Sequence, residues 1–473
     1  MALTADLSKF LEQIRFEHIP QDAVALATDA FTDTIGVIMA GVGEPIVNIV
    51  RNEIAAKANG LGPESDGVRA CLSPLAIVAS DAALLGGTAA HALDYDDQAL
   101  TGHPSAILIP TILSEAEILG SSGKDMVTAY VAGYEVWAEL VRRSGKYHSK
   151  GWHPTSLFGV IGAAAAATVL RRLDAKRIAA ALAMAGSQAS GLAVNFGTMT
   201  KPYHAGMAAR SGLVSARLAG AGATAALDVF ENRRGFLTAY APDDSPDWDS
   251  PSQLGTHWHL VEHRLCVKRY PTCYFMQRSF DATVRLLKEA SIKADDIAGI
   301  EVTMGKGQTA VLVNERPQTG LQAKFSEQFA MAAAAVLGRM GIEEVCDEVV
   351  QRPEIQSFFP KVKLNPVDEY DSRDPAHSPT EQVTVTLNDG TQLDSGPIAS
   401  IRGYAFDPLS TGELWEKFLQ CTARTHTEEE ARLMFERTQN IASLGSAQDL
   451  PTCERVFAAG EWSRSGETPE MAS

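Results

Sequence analysis

The residues most suited to chemistry lie between His91 and Pro104, His-Ala-Leu-Asp-Tyr-Asp-Asp-Gln-Ala-Leu-Thr-Gly-His-Pro. An apolar run carrying Ala82, Leu84, Leu85, Ala89, Ala90 and Leu93 leads into three carboxylates, Asp94, Asp96 and Asp97. A short loop then presents His103 immediately before a proline, which biases the histidine toward an extended turn. A histidine on a loop between two apolar helices can move protons near neutral pH.

Four further polar stretches are wedged between apolar segments. Lys146 to Thr155 carries Tyr147, His148 and His153, with Thr155 or Ser156 placed to cap a following alanine-rich helix whose N-terminus favours anions. Gly197 to Gly206 carries Lys201, read as a loop lysine before Pro202, and His204. Cys266 to Cys273 carries Lys268 and Arg269 beside Tyr270. Lys324 to Phe329 opens another helix. His103, His153, Lys201, Lys268 and Arg269 would together form a cationic pocket, with Tyr147 nearby. Such a pocket selects a small di- or tricarboxylate, and its histidine and lysine can move a proton at a carbon next to a carboxylate. That is lyase or isomerase chemistry that needs no cofactor.

Other chemistries lack their patterns. His257-x-His259 and the Asp94, Asp96, Asp97 cluster have neither the His-Glu-x-x-His spacing nor a cysteine partner, so no catalytic metal is expected. There is no Gly-x-Gly-x-x-Gly after a strand, no Walker-type loop and no Gly-x-Ser-x-Gly elbow.

The elements that must position these residues follow from pattern and composition. The 473 residues, 45% hydrophobic, suffice for two or three domains. From Leu72 to about Leu227, alanine, glycine and leucine recur at helical spacing, over Ala76–Leu93, Ala106–Leu119, Gly123–Arg143, Thr155–Leu173 and Ala175–Leu192. After an excursion at Asp243–Trp258 the pattern changes. Ile297–Met304 and a hairpin at Gln382–Leu387, Asn388-Asp389-Gly390 and Thr391–Leu393 read as strands, with helices at Phe280–Ala290, Ser326–Leu337 and Ile342–Val350. The expected fold is mainly α: a large all-helical domain over 1–265, to which 405–445 returns, a smaller α+β lid domain over 266–404, and a flexible tail over 446–473.

A net charge of −17 argues against a nucleic-acid or anionic-membrane partner. Six scattered cysteines read as reduced thiols, and the N-terminus lacks a signal-peptide pattern, so a cytoplasmic location is expected.

The chain resembles the MmgE/PrpD family from Asp33-Thr-Ile-Gly to Pro408-Leu-Ser. The resemblance rests on His-Ala-Leu-Asp-Tyr-Asp-Asp with Gly-His-Pro-Ser at 91–105 and Gly-Trp-His-Pro-Thr at 151–155. Thr200-Lys201-Pro202 with His204 and Gly206, and Lys-Arg-Tyr-Pro-x-Cys at 268–273, complete it. The family includes 2-methylcitrate dehydratases, cis-aconitate decarboxylases and iminodisuccinate epimerases. The resemblance implies a homodimer without metal or organic cofactor and an active site between the two domains. It places Asp94, His103, His153, Lys201 and Lys268 around that site, with His103 the leading acid/base and Tyr147 where epimerase-like members use a tyrosine. Gln98, Arg269 and Cys273 join the substrate-binding set. The cis-aconitate decarboxylases carry threonine, histidine and tyrosine where this chain has Gln98, Cys273 and Phe329. The resulting expectation is a cofactor-independent lyase, dehydratase or decarboxylase in type, acting on an acid such as 2-methylcitrate or cis-aconitate. An epimerase of the iminodisuccinate type and a non-catalytic polycarboxylate binder are the alternatives.

Overall fold

Alanine-, glycine- and leucine-rich periodicity produces the helices it predicts, because small side chains let helix axes approach closely. In the computed structural model, which describes residues 2–58, 67–143, 150–240, 246–371 and 377–457, the central helices are Ala79–Ala92, Ser105–Leu119, Gly123–Arg142, Pro154–Leu170, Ala175–Gly186 and Thr200–Gly220. The cap expected at Thr155 or Ser156 does not form, because Pro154 already starts the helix and His153 takes the N-cap without a side-chain cap bond, but other ends carry the expected chemistry. Ser122 caps Gly123–Arg142 in a reciprocal box with Asp125, Asp174 caps the Ala175 helix, and Pro154 stands at a first-turn position.

Ala79–Ala92 and Thr200–Gly220 approach each other closely. A β-carbon on Gly206 would lie 2.3 Å from both the Leu84 carbonyl and the Thr88 hydroxyl, and one on Gly87 would lie 2.9 Å from the Gly206 Cα. Around this pair lies one continuous core, containing Phe31, Ile107, Tyr130, Trp137, Phe158 and Leu213. The helix Gln21–Gly41 is long and apolar enough to cross a membrane (mean hydropathy 1.4), yet 72% of that window is buried inside the protein, the signature of a core helix. Phe418 of the Thr411–Thr422 helix packs on Gly36 of this helix, and Ser410 caps Thr411–Thr422 in a reciprocal box with Glu413.

The later part of the chain builds a second core around a four-stranded sheet, ordered Val362–Val367, Ile297–Gly305, Gln382–Leu387, Gln392–Asp394. The first pair is parallel and the others antiparallel. Val302 sits opposite Leu364 on one side and Val383 on the other. The helices Gln277–Ala290 and Glu327–Val336 bury Phe280 and Phe329 in the same core.

Several expectations change. Ala76–Val78 is a strand paired with Gly67–Arg69, so the helical part is not wholly helical; β-branched Ile77 and Val78 favour the extended form. The helix expected at Ile342–Val350 shrinks to Asp347–Val350. The Glu344 carboxylate instead accepts the Gly341 amide, a local bond that competes with helix. The edge strand Val362–Val367 escaped the sequence reading because Pro366 and two lysine or asparagine positions break its pattern. Residues 446–457 do not form a flexible tail: Leu450, Cys453 and Val456 are buried in the helical core, and the Cys453 amide donates to the Leu72 carbonyl at 2.8 Å. The remainder of the expected tail lies outside the described residues.

Gly206→Ala forces a β-carbon into backbone and hydroxyl oxygens. It should cost about 1–3 kcal/mol, the usual penalty for overpacking, and lower the calorimetric Tm by about 1–3 degrees. An unchanged Tm would mean that the two helices have room to part.

Candidate active site

The helix Ala79–Ala92 ends where Asp94 adopts a left-handed conformation (φ 53°), which turns the chain sharply. The turn sends the Asp94 carboxylate toward Lys201 and its carbonyl toward Lys268. Lys201 ion-pairs with Asp94 Oδ1, while Lys268 Nζ lies 3.0 Å from Asp94 Oδ2 and 2.8 Å from the Asp94 carbonyl. A third lysine, Lys324, donates to the Ala92 carbonyl at 2.9 Å, where the helix C-terminus favours a cation. The loop is fastened from behind by Lys417, whose Nζ donates to the Tyr95 carbonyl at 2.9 Å and pairs with buried Asp33 at 2.6 Å.

Burial opposes the Asp94 carboxylate, but Lys201 and Lys268 outweigh it and hold its pKa well below the usual range. Burial likewise opposes the Lys268 ammonium, and Asp94 more than restores it. Three lysines, Lys201, Lys268 and Lys324, thus gather around two buried carboxylates, Asp94 and Asp96, which leaves surplus positive charge in a buried place.

Asp96 organises the histidines. His91 Nδ1 lies 2.9 Å from Asp96 Oδ2, and His103 Nδ1 lies 3.1 Å from the same oxygen and 2.8 Å from the Asp97 carbonyl. With two acceptors at Nδ1, the His103 ring nitrogen that carries the proton is Nδ1, which leaves Nε2 as the basic site. Burial lowers the His103 pKa, Asp96 opposes that, and Lys268 and Lys201 reinforce it, so the ring is neutral at pH 7. His153, at the N-cap of Pro154–Leu170, is buried and its pKa is pushed well below the usual value by burial and by Lys201. Asp97 is raised to about 8 by burial and makes its hydrogen bond with Ser105, which also meets the Tyr130 hydroxyl at 2.8 Å.

Asp94, Gln98, His103, His153, Lys201, Lys268 and Cys273 line one cleft. Its apolar wall is Phe196, Phe275, Val311 and Phe325. Lys201 stands at the first turn of Thr200–Gly220, not in the expected loop, because Pro202 is tolerated at the start of a helix. Cys273 is a thiol here, pushed up to about 12 by burial. Arg269 is a correction: its side chain is 42% exposed, pairs with Asp281 at 3.2 Å and does not reach the cleft. The backbone bends at Arg269 and Tyr270, which turns the Arg269 side chain away from the side that Lys268 faces. Tyr147 lies outside the described residues. Phe329 belongs to the core of the sheet unit and is not among the cleft-lining side chains.

Sequence reasoning passed over His91 and the role of Asp96, although both sit in the motif it singled out. It read Lys324 only as part of a stretch that opens a helix, and the aromatic wall left no periodic signal. His91, Asp94, Asp96 and His103 also bring ligand-type atoms within 4.8 Å of one another. Both Asp94 oxygens already face lysine ammonium groups and Asp96 faces two imidazole N–H groups, so the chemistry of this set suits its own cations better than a metal ion.

Asp96→Asn should lower kcat by at least about 10-fold, a part of the ~10²–10⁴ that a positioned acid or base contributes. Because Asp96 raises the His103 pKa, its removal should also move the His103 titration to lower pH. Imidazole NMR titration of the two proteins checks the shift, and an unmoved titration would remove Asp96 from this role.

The chain is 27% identical to mouse cis-aconitate decarboxylase over 435 residues, covering 88% of this chain and 86% of that protein. It is 28% identical to human cis-aconitate decarboxylase over 385 residues, 78% of each chain. Against the cis-aconitate decarboxylase-like protein oryM of Aspergillus oryzae it is 25% identical over 95% of both. Residues 5–249 match the MmgE/PrpD N-terminal domain and residues 270–441 the MmgE/PrpD C-terminal domain, and the chain belongs to the MmgE/PrpD family.

Proposed function

We propose that this chain is a cofactor-independent lyase that breaks a carbon–oxygen or carbon–carbon bond in a small di- or tricarboxylate, such as 2-methylcitrate or cis-aconitate. One observation carries the reading: Lys201 and Lys268 converge on Asp94 beside a neutral His103 in a single cleft. The relatives named cis-aconitate decarboxylase support a lyase.

The surplus cationic charge receives the substrate carboxylates. In a dehydration, His103 Nε2 takes the proton from the carbon next to a carboxylate, and the electron pair spreads onto that carboxylate before hydroxide leaves. In a decarboxylation, the pair released by the departing carbon dioxide spreads the same way, and a proton drawn from solvent through His103 Nε2 ends on carbon. Both routes place new negative charge against the lysines, where stabilisation in a buried site is strong. Gln98 and Cys273, which line the cleft where the decarboxylases carry threonine and histidine, then decide which acid fits. The proposal includes a homodimer, supported by exposed apolar Leu192, Val194, Met199 and Tyr203 around the start of the Lys201 helix. Light scattering should return twice the 50.6 kDa chain mass, and a monomer would remove that part.

Proton NMR in deuterium oxide with 2-methylcitrate, citrate, cis-aconitate and iminodisuccinate should show a new alkene signal or loss of a carboxylate with one acid. Deuterium exchange without net product would overturn the lyase reading. His103→Asn and Lys201→Met should each lower turnover by at least ~10², and near-normal turnover in His103→Asn would remove it as the acid/base. If His103 acts as a base in the free enzyme, kcat/KM rises with pH through a value below 6.5 and is level at neutral pH, because the deprotonated form is active above its pKa.

A further inference from the structure

Outside the cleft, the segment that leads into Lys268 brings together three groups of metal-ligand type. Leu254 to Trp258 is irregular, with Trp258 extended, and His259–His263 is a short helix. Extended backbone puts His257 and His259 on one side, and one helical turn brings Glu262 under His259. His257 Nε2 lies 2.8 Å and His259 Nδ1 lies 3.6 Å from Glu262 Oε2, and the three ligand atoms all fall within 4.8 Å of one another. Tetrahedral zinc with bonds of about 2.0–2.1 Å separates its ligand atoms by roughly 3.4 Å, a spacing that these distances bracket.

His259 supplies the second, independent observation. Its ring is fully buried, and Nδ1 has no hydrogen-bond partner among the described residues. Its other nitrogen, Nε2, lies 3.4 Å from Glu139 Oε2. Glu139 is held as a carboxylate by Arg142 and by Arg143, at 2.9 and 2.7 Å. Nε2 therefore carries the proton and Nδ1 offers a lone pair toward Glu262. A carboxylate behind a histidine whose other nitrogen is left bare is the outer-shell arrangement of metal-ligating histidines. Glu135 fixes the same residue through its backbone, accepting the His259 and Leu260 amides at 3.0 and 2.9 Å. A buried orphan nitrogen is costly, and a cation would satisfy it.

We propose that His257, His259 and Glu262 form a binding site for a divalent transition metal of the zinc type, distinct from the cleft. His263, whose Nε2 lies 3.5 Å from the same Glu262 oxygen, stands next to the open coordination position. The metal ties residues 257–262 to one another, while Glu135 and Glu139 hold the segment on the Gly123–Arg142 helix, a few residues before Cys266, whose backbone pairs with that of Gln98 in the cleft wall. Its role is to hold the approach to Lys268, not to take part in the reaction.

The test uses the full chain without a histidine tag, stripped with EDTA and desalted. Zn²⁺ is titrated in competition with a chromophoric chelator, and Co²⁺ is added separately to read its visible d–d band. The expected result is one Zn²⁺ per chain, a tetrahedral-type Co²⁺ band, and a Tm that rises with added Zn²⁺. Glu262→Gln and His257→Gln, both on partly exposed side chains that folding tolerates, should each weaken Zn²⁺ binding by at least about 10-fold and abolish the Tm rise. Circular dichroism confirms that both variants are folded. Absence of stoichiometric Zn²⁺ in the native chain would overturn the site. So would undiminished binding in both variants, which assigns the metal to other groups such as His91, Asp94, Asp96 and His103.

Discussion

The structure depends on a buried carboxylate shared by two lysines. Taking such charges out of water costs several kcal/mol for each ion, and the cost is met only because Asp94 faces Lys201 and Lys268 together while its carbonyl accepts a further bond. The three residues come from a helix end, a helix start and an extended segment 174 positions beyond Asp94. Losing one lysine leaves the others unbalanced, so helix packing, loop conformation and cleft charge are coupled through one ion cluster. The glycine contact at Gly87 and Gly206 sets the distance between two of those elements.

An acidic protein can hold a cationic cleft because electrostatics in a buried site are local. At physiological salt, exposed charges are screened within about 8 Å, whereas the charges around Asp94 act through the protein interior. The net −17 therefore describes the outer surface and says little about the cleft. Burial also explains why the histidines differ in role from the lysines. Without a carboxylate of its own, His153 is pushed strongly to the neutral form, while His103 is partly restored by Asp96 and remains within reach of proton transfer.

The excursion between the two cores has more organisation than its composition suggests. Arg143 and Glu139 draw Asp247, Ser250 and His259 onto the Gly123–Arg142 helix. A segment rich in proline, aspartate and tryptophan thereby becomes a fixed lead into the chain that carries Lys268. The same buried Glu139 both anchors the arginines and orients the His259 ring.

The sequence by itself determined the local features. Alanine, glycine and leucine spacing located most helices, the Asn388-Asp389-Gly390 turn located the hairpin, and the motifs around His103, His153, Lys201 and Lys268 located the cleft and the family. These are legible because period, turn chemistry and motif order are properties of neighbouring residues. Only the tertiary structure decided that Arg269 faces Asp281, that Lys201 starts a helix, that Leu450, Cys453 and Val456 are core, and that Asp96 holds two histidines by Nδ1. It alone decided that His259 turns a bare nitrogen toward Glu262, since Glu139 lies 120 positions earlier in the chain. The physical reason is common to all of these. Which face of an extended segment is buried, and which ring nitrogen keeps its proton, depend on partners that folding brings from far along the chain, and no spacing within a motif records them.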